Sequence, residues 1–367
     1  CNKVKIVRQT SITIDLAALS HNLQRVKEYA PSAKVLAMVK ANAYGHGAVN
    51  CLPAVAQADA LGVACLQEAI ELQQAGWQKL MVVIEGAFSL AEWQYCIAHQ
   101  IQCVVHHQRQ LDWALQQPAK TGATVWLKLN TGMNRLGFTS DEVREIAQQL
   151  TEAGYEIVLT THFANADAID HPNNQQQFEL FDSTLQMLRD QVNPALKGSL
   201  CNSAGIVNWS DRHYDWVRPG IILYGATPVN HATAKQLNLQ PVMHFNASIM
   251  AIHTLKAGDS VGYGSRWTAQ APARIGIVSV GYADGYPRVI SDDAYVVVAG
   301  QQAPIIGRVA MDMLMVDLTH ITEVTLDCPV QLWGNAPTID EVGGWNDTIS
   351  YELLSVVTRR PTWIYQS

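Results

Sequence analysis

Short apolar runs alternate with amphipathic helical stretches through the first two thirds of the chain. That alternation restricts the fold more than any other feature. The runs are 35-VLAMV, 60-ALGVAC, 80-LMVVIE, 101-IQCVVH, 124-TVWLKL, 157-IVLTTH, 199-SLCN and 216-WVRPGIILYG, and they read as strands buried on both faces, as in a parallel sheet. Segments such as 66-LQEAIELQQAGW and 141-DEVREIAQQLTEAG lie between them with helical periodicity. Ahead of the first run, 15-DLAALSHNLQRVKEYA puts Leu16, Leu19, Leu23 and Val26 on one helical face, with Asp15 as the N-cap. Eight such units over this length predict an α/β fold, an eight-stranded (β/α)8 TIM-like barrel. A doubly wound open sheet is the competing architecture, but no G-x-G-x-x-G follows the first run.

After about residue 240 the texture changes. Strand-like stretches take over, 274-RIGIVSVGYADGY, 294-AYVVVAG and 304-PIIGRVAMDMLMVDL, and long helical patterns are rare until 348-TISYELLSVV. This predicts a mostly β C-terminal domain. The expected division is 11–238 for the barrel and 239–367 for the β domain, with residues 1–10 placed against the latter. The formal net charge of −7 gives no reason to expect nucleic acid or an anionic membrane as partner. No apolar run reaches the ~18 residues that a spanning helix needs. The opening CNKVKIVRQT lacks the apolar core of a signal peptide, and Cys1 reads as a trimmed start in preference to a lipidated N-terminus. The seven cysteines are odd in number and scattered, which suggests neither a disulfide framework nor a metal site. A reducing cytoplasm is the expected location.

Barrels of this kind place their chemistry at the C-terminal strand ends. Those ends carry Lys40, Glu85, His106, Lys128, His162, Asn202 with Ser203, and Arg218 with Gly220. Any one of them could be an ordinary rim side chain; the coincidence over most strands is the signal. A lysine entering an apolar pocket loses hydration, which lowers its pKa. The free amine can then form a Schiff base or act as a base. The bland alternative is a lysine that reaches solvent. Ala41, Asn42 and Ala43, with Gly45 and Gly47 beyond, leave room for a flat ring near the backbone, and the Tyr44 hydroxyl can donate to an anion. The loops after the last two strands, 202-NSAG and 218-RPGI, stand where such barrels bind phosphate. Ser203 and the N–H groups of Gly220 and Ile221 suit that ligand. An amine on the first strand and a phosphate site on the last two describe pyridoxal phosphate held across the barrel mouth.

At this point the chain resembles the alanine racemases. VKANAYGHG matches that family's cofactor-lysine motif, and 128-KLNTGMNRLGF, 161-THFANAD, 218-RPGIILYG, 262-GYG, 281-GYADGY and 311-MDM follow in the family's order. The resemblance implies pyridoxal 5′-phosphate as cofactor and Lys40 and Tyr263 as the two catalytic bases. Tyr263 would come from the second subunit of a homodimer with shared active sites. It implies Arg218 at the pyridine nitrogen with His162 beside it, and Arg135 at the phenolic oxygen and the substrate carboxylate. Tyr44, Asn202, Ser203, Gly220, Ile221 and Tyr351 would bind the cofactor and its phosphate. Met311 and Asp312, again from the other subunit, would border the substrate carboxylate. In this family the lysine at Lys128 is often carbamylated, which would turn a cation facing Arg135 into an anion. Asp167, Tyr282, Arg288, Arg308 and Ile349 match the family's entrance residues. The ending 359-RRPTWIYQS departs from the family pattern away from the chemistry.

The implied function is interconversion of L- and D-alanine, supplying D-alanine for peptidoglycan. A racemase of broader specificity, or one for serine or lysine, is the nearer alternative; Tyr263 and Tyr351 together would favour a methyl side chain. A non-catalytic pyridoxal-phosphate carrier is the alternative of another class, and the β domain with Tyr263 in it argues against that reading.

Overall fold

The computed structural model describes residues 8–116, 119 and 122–367; Cys1 and the rest of the opening heptad lie outside them. The chain divides into two compact units. One comprises Ser20–Leu223 and Thr227–Leu239; the other comprises Tyr224–Ala226, Gln240–Ser367 and the segment up to Leu19.

The first strand, Ser11–Asp15 (β1), belongs to the second unit, which corrects the expectation that the barrel begins at residue 11. Its sequence, SITID, alternates with period two. Ile12 and Ile14 are fully buried, while Ser11, Thr13 and Asp15 stay partly exposed, the pattern of a strand in a mostly antiparallel sheet. Asp15 then caps the helix Leu16–Tyr29 by accepting from the Ala18 N–H at 2.8 Å.

In the first unit eight parallel strands follow in order: Lys34–Met38 (β2), Ala60–Val63 (β3), Leu80–Val83 (β4), Gln102–Val105 (β5), Thr124–Lys128 (β6), Glu156–Thr160 (β7), Lys197–Ser199 (β8) and Trp216–Val217 (β9). Each pairs with its predecessor from β2 to β8, and β9 pairs with β2. The seam between β8 and β9 closes through Asp215 N–H to the Gly198 carbonyl (3.1 Å) and Arg218 N–H to the Cys201 carbonyl (2.9 Å). The Ser199 hydroxyl adds a bond to the Trp216 carbonyl (2.9 Å). The result is the expected eightfold barrel. One run was read too long: 216-WVRPGIILYG is a strand only at its start. Pro219 has no N–H to continue the ladder, and Ile221–Tyr224 winds into a 3₁₀ turn.

The second unit is built on Met243–Leu255 (β10), with Ser260–Val261 (β11), Trp267–Thr268 (β12), Ala273–Val278 (β13), Tyr295–Val298 (β14), Gln301–Ile306 (β15), Leu314–Asp317 (β16), Pro329–Trp333 (β17) and Thr362–Gln366 (β18). The main sheet runs β13-β16-β15-β14-β17-β10-β1-β18, and β10 also pairs with β13. Six strands therefore close on themselves. A register shift at Ile249 and Ala251 bends β10 so that its two ends serve different neighbours. Neither β10 nor the helix Ile339–Trp345, opened by a Thr338/Glu341 capping box, was foreseen from sequence. Among the described residues no helix is long and apolar enough to cross a membrane.

Candidate active site

Lys40 stands two residues past β2 and opens a short turn, Lys40–Tyr44, of unusual hand. Ala41, Asn42 and Ala43 have φ of 52°, 55° and 55° with ψ of 49°, 48° and 53°, and Tyr44 has φ 51°. For L-residues this conformation costs about 1–2 kcal/mol each, so the surroundings must hold it. Backbone bonds run from Ala43 to Val39 (2.7 Å), Gly45 to Ala41 (2.9 Å) and Gly47 to Asn42 (2.9 Å). The Asn42 side-chain oxygen accepts from the Ala48 N–H at 2.9 Å. Buried His46 donates from Nδ1 toward the Ala43 and Tyr44 carbonyls at 3.0 Å each. Glu68 accepts from the Ala41 N–H on one oxygen and from the Ala64 N–H on the other, each at 2.7 Å. The small residues after Lys40 thus serve a left-handed turn as well as leaving space.

The turn delivers Tyr44 to the loops after β8 and β9. A Cβ built on Gly220 would lie 2.4 Å from the Tyr44 hydroxyl, so only glycine lets the phenol approach. The Gly220 N–H donates to Ser203 Oγ at 2.8 Å. Tyr44, Ser203 and Gly220 therefore meet, with Ile221 next in the chain. Asn202 does something more local: its side chain caps the helix Ser203–Asn208 by accepting from the Gly205 N–H at 3.0 Å.

Arg218 is buried inside the barrel, yet it pairs with no carboxylate among the described residues. Its Nη1 donates to Thr160 Oγ1 (3.1 Å), the Ser199 carbonyl (2.8 Å) and Ser199 Oγ (2.6 Å). Nη2 donates to the carbonyls of Thr161 (2.5 Å) and Leu200 (3.2 Å). These neutral acceptors fix both terminal nitrogens and leave Nε unengaged. Burial lowers the guanidinium to about 10. Lys128 is pushed well below its ordinary value, first by burial and then by the charges of Arg218 and Arg135. His162 is held well below the usual imidazole range by burial, reinforced by Lys128, Arg218, Arg135 and Lys40. In a chain of net charge −7, five basic groups crowd one barrel mouth. Among the described residues none of them forms a salt bridge. Burial biases Lys128 and His162 toward their neutral forms, so the guanidinium groups are left with uncompensated positive charge that suits an anion.

Two other polar strand ends meet each other. His106 Nε2 bonds the Glu85 carbonyl at 3.0 Å, a link between neighbouring strand ends. In the second unit Tyr263 lies in a loop shaped by Gly262, Gly264 and Ser265, with φ of 72°, 71° and 47°, and is 72% exposed. Met311 is exposed too. Its carbonyl accepts from the Ala283 N–H at 3.0 Å, and Arg360 holds the neighbouring Asp312 carboxylate at 2.6 Å. Arg360 also binds fully buried Asp284 at 3.1 Å, and Arg8 pairs with the same carboxylate. Tyr351, in the helix Ser350–Ser355, is likewise exposed.

Residues 14–228 match the family described as alanine racemase, N-terminal domain, and residues 242–365 match its C-terminal domain. The chain belongs to the alanine racemase family. It is 54% identical to an alanine racemase of Psychrobacter sp. (strain PRwf-1), over 97% of this chain and 99% of that one. The alanine racemase structure from Acinetobacter baumannii superposes with a TM-score of 0.93 at 44% identity, covering 98% of this chain and all of that one. An alanine racemase from Bartonella henselae, with covalently bound pyridoxal phosphate, superposes at 0.87 with 29% identity, covering 98% and 100%.

Three polar residues that brace this barrel mouth went unnoticed in the sequence. They are Glu68, His46 and Gln177. Gln177 is buried and donates to Thr131 Oγ1 (2.8 Å) and the His162 carbonyl (3.0 Å), while Thr131 bonds Thr161 (2.8 Å). A buried glutamine on an otherwise ordinary amphipathic helix was the available signal for the last.

Proposed function

We propose that the chain interconverts L- and D-alanine with pyridoxal 5′-phosphate, Lys40 and Tyr263 acting as the two bases. The observation that carries this reading is the meeting of Lys40, the Tyr44–Ser203–Gly220 cup and unpaired Arg218 in one cationic barrel mouth. The residues present fit the cofactor. The cup gathers the Tyr44 and Ser203 hydroxyls and the Gly220 N–H, groups of phosphate-binding type, and the missing Cβ at position 220 is what lets the Tyr44 hydroxyl join them. Arg218 Nε is the free donor for the pyridine nitrogen, and Lys40 Nζ is the amine for the aldehyde. Asn202 assists by shaping the Ser203 loop, and His162 stands beside Arg218.

When bound, the cofactor supplies an electron sink that acidifies the Cα–H of the amino acid. Arg218 limits that sink, because a guanidinium donates a hydrogen bond without surrendering its proton. Lys40 Nζ removes or returns the Cα proton on one face. The Tyr263 hydroxyl of a second copy does so on the other, and proton transfer on opposite faces inverts the configuration. Arg135 binds the substrate carboxylate, bordered by Met311 and Asp312 of the second copy. The depressed pKa of Lys128 raises its free-amine fraction, the form that reacts with carbon dioxide, so we read Lys128 as carbamylated and orienting Arg135. The homodimer reading is supported by the exposure of Tyr263, Met311 and Ile349 at 72%, 52% and 61%, which leaves these side chains accessible to a second copy. A cytoplasmic supply of D-alanine for peptidoglycan completes the proposal.

Borohydride treatment of the protein with bound cofactor, followed by peptide mapping, tests the lysine: the label belongs on Lys40. Recovery on Lys34 or Lys128 overturns the reading. Racemisation rates for alanine, serine and lysine on the same preparation decide the substrate, and alanine is expected to be fastest.

A further inference from the structure

The Lys40 turn is held at both ends. Glu68 reaches it from the first turn of the helix Leu66–Gln74. Its carboxylate ties Ala41, the residue after Lys40, to Ala64, which follows β3, with both bonds at 2.7 Å. Asn42 holds the far end through the Ala48 N–H at 2.9 Å. The turn they hold contains four non-glycine residues with positive φ, Ala41, Asn42, Ala43 and Tyr44. Two are alanines, whose methyl side chains offer nothing to stabilise that conformation locally. In a single helical turn, residues four apart stand one above the other. Lys40 and Tyr44 are four apart, so the turn presents both on the same side, and its hand decides which side that is.

We infer that Glu68 is a positioning residue whose carboxylate holds the 41–44 turn left-handed, so that Lys40 Nζ and the Tyr44 hydroxyl address the two ends of one cofactor. The inference rests on the cofactor reading given above. A carboxylate accepting two N–H bonds suits this task, because each bond is charge-assisted. Glu68→Ala removes both bonds. Glu68→Gln keeps one acceptor and turns an amide N–H₂ toward an N–H.

The experiment measures pyridoxal phosphate affinity by dialysis equilibrium, and borohydride-fixed label at Lys40 by peptide mapping. It uses the full chain as wild type, Glu68→Ala, Glu68→Gln and each variant combined with Ala41→Gly. Loss of charge-assisted bonds predicts a dissociation constant raised about tenfold to a hundredfold in Glu68→Ala, with label at Lys40 falling in step. Glycine enters the left-handed region freely, so adding Ala41→Gly should restore affinity to within about threefold of wild type. A carboxylate acting through its charge on Lys40 would not be replaced by a missing methyl group. Rescue therefore separates the two roles. Where Glu68→Ala fails to fold, as judged by circular dichroism, the Glu68→Gln pair carries the same comparison. Unchanged affinity in the folded single variants, or weakened affinity that Ala41→Gly leaves weak, overturns the inference. Wild-type protein that takes no label at Lys40 overturns the cofactor reading itself, and this inference with it.

Discussion

Tyr263 and Lys40 differ in what a single substitution reveals. On the proposed two-base reading, removing the Tyr263 hydroxyl leaves no group on its face to take or return the Cα proton, while Lys40 keeps its own face. Tyr263→Phe should abolish racemisation, a loss of about 10²–10⁴-fold being typical for one general base. The resemblance to the alanine racemases assigns the D-alanine proton to Lys40 and the L-alanine proton to Tyr263, so the variant should still allow Cα–H exchange of D-alanine with heavy water, read by proton NMR. Exchange of L-alanine instead would reverse the assignment of faces. His46 makes a different residue-scale prediction. Burial lowers it to about 4 from 6.5, so between those values the unfolded chain binds the proton that the folded barrel refuses. The stabilisation is whole above pH 6.5 and is lost as the pH falls toward 4. From pH 7.5 to 5 this group alone removes about 2 kcal/mol. Urea unfolding of His46→Gln at those two pH values should show a dependence shallower by that amount.

At the scale of elements, two glycines are strict. Gly220→Ala drives a methyl into the Tyr44 hydroxyl, and the tyrosine must yield, so cofactor affinity should fall while the melting temperature of the cofactor-free protein stays close to wild type. Gly281→Ala has no such outlet. Its Cβ would meet the carbonyl oxygens of Ala310 and Met311 at 2.3 and 2.4 Å. Backbone cannot swing aside, and overpacking of this kind costs about 1–3 kcal/mol. A thermal melt lowered by several degrees is the expected result. The eight barrel strands were legible in the sequence because burial on both faces leaves continuous apolar runs. Lys40 and Arg218 were legible because charge at the end of such a run is conspicuous. The hand of the Lys40 turn was not, since alanine carries no mark of a left-handed backbone and Glu68 bonds it from 27 residues away. β1 was hidden by its brevity and by the helix that begins directly after it. The five neutral contacts of Arg218 depend on barrel closure, which no local pattern displays.

At the scale of the molecule, the proposed shared site predicts complementation. Lys40→Ala and Tyr263→Phe proteins, each inactive, should regain activity after subunit exchange, because one of the two sites in a mixed dimer is intact. Sedimentation of wild-type protein at micromolar concentration should give about twice the chain's mass, in line with an interface that hides Tyr263, Met311 and Ile349. Failure to complement, with exchange demonstrated by differently tagged chains, would argue for a self-contained subunit.

The placing of β1 also bears on how the chain is made. β1 sits between β10 and β18, so it leaves the ribosome long before either neighbour exists. Roughly 230 residues separate it from β10, and at 5–20 residues per second that is a wait of roughly 10–50 s. The barrel strands have all emerged by then, while Ile12 and Ile14, both fully buried in the finished sheet, still lack their cover. The nascent protein therefore carries an apolar strand in search of a partner throughout the synthesis of its own barrel, and that interval is when a chaperone or a neighbouring nascent chain would compete for it.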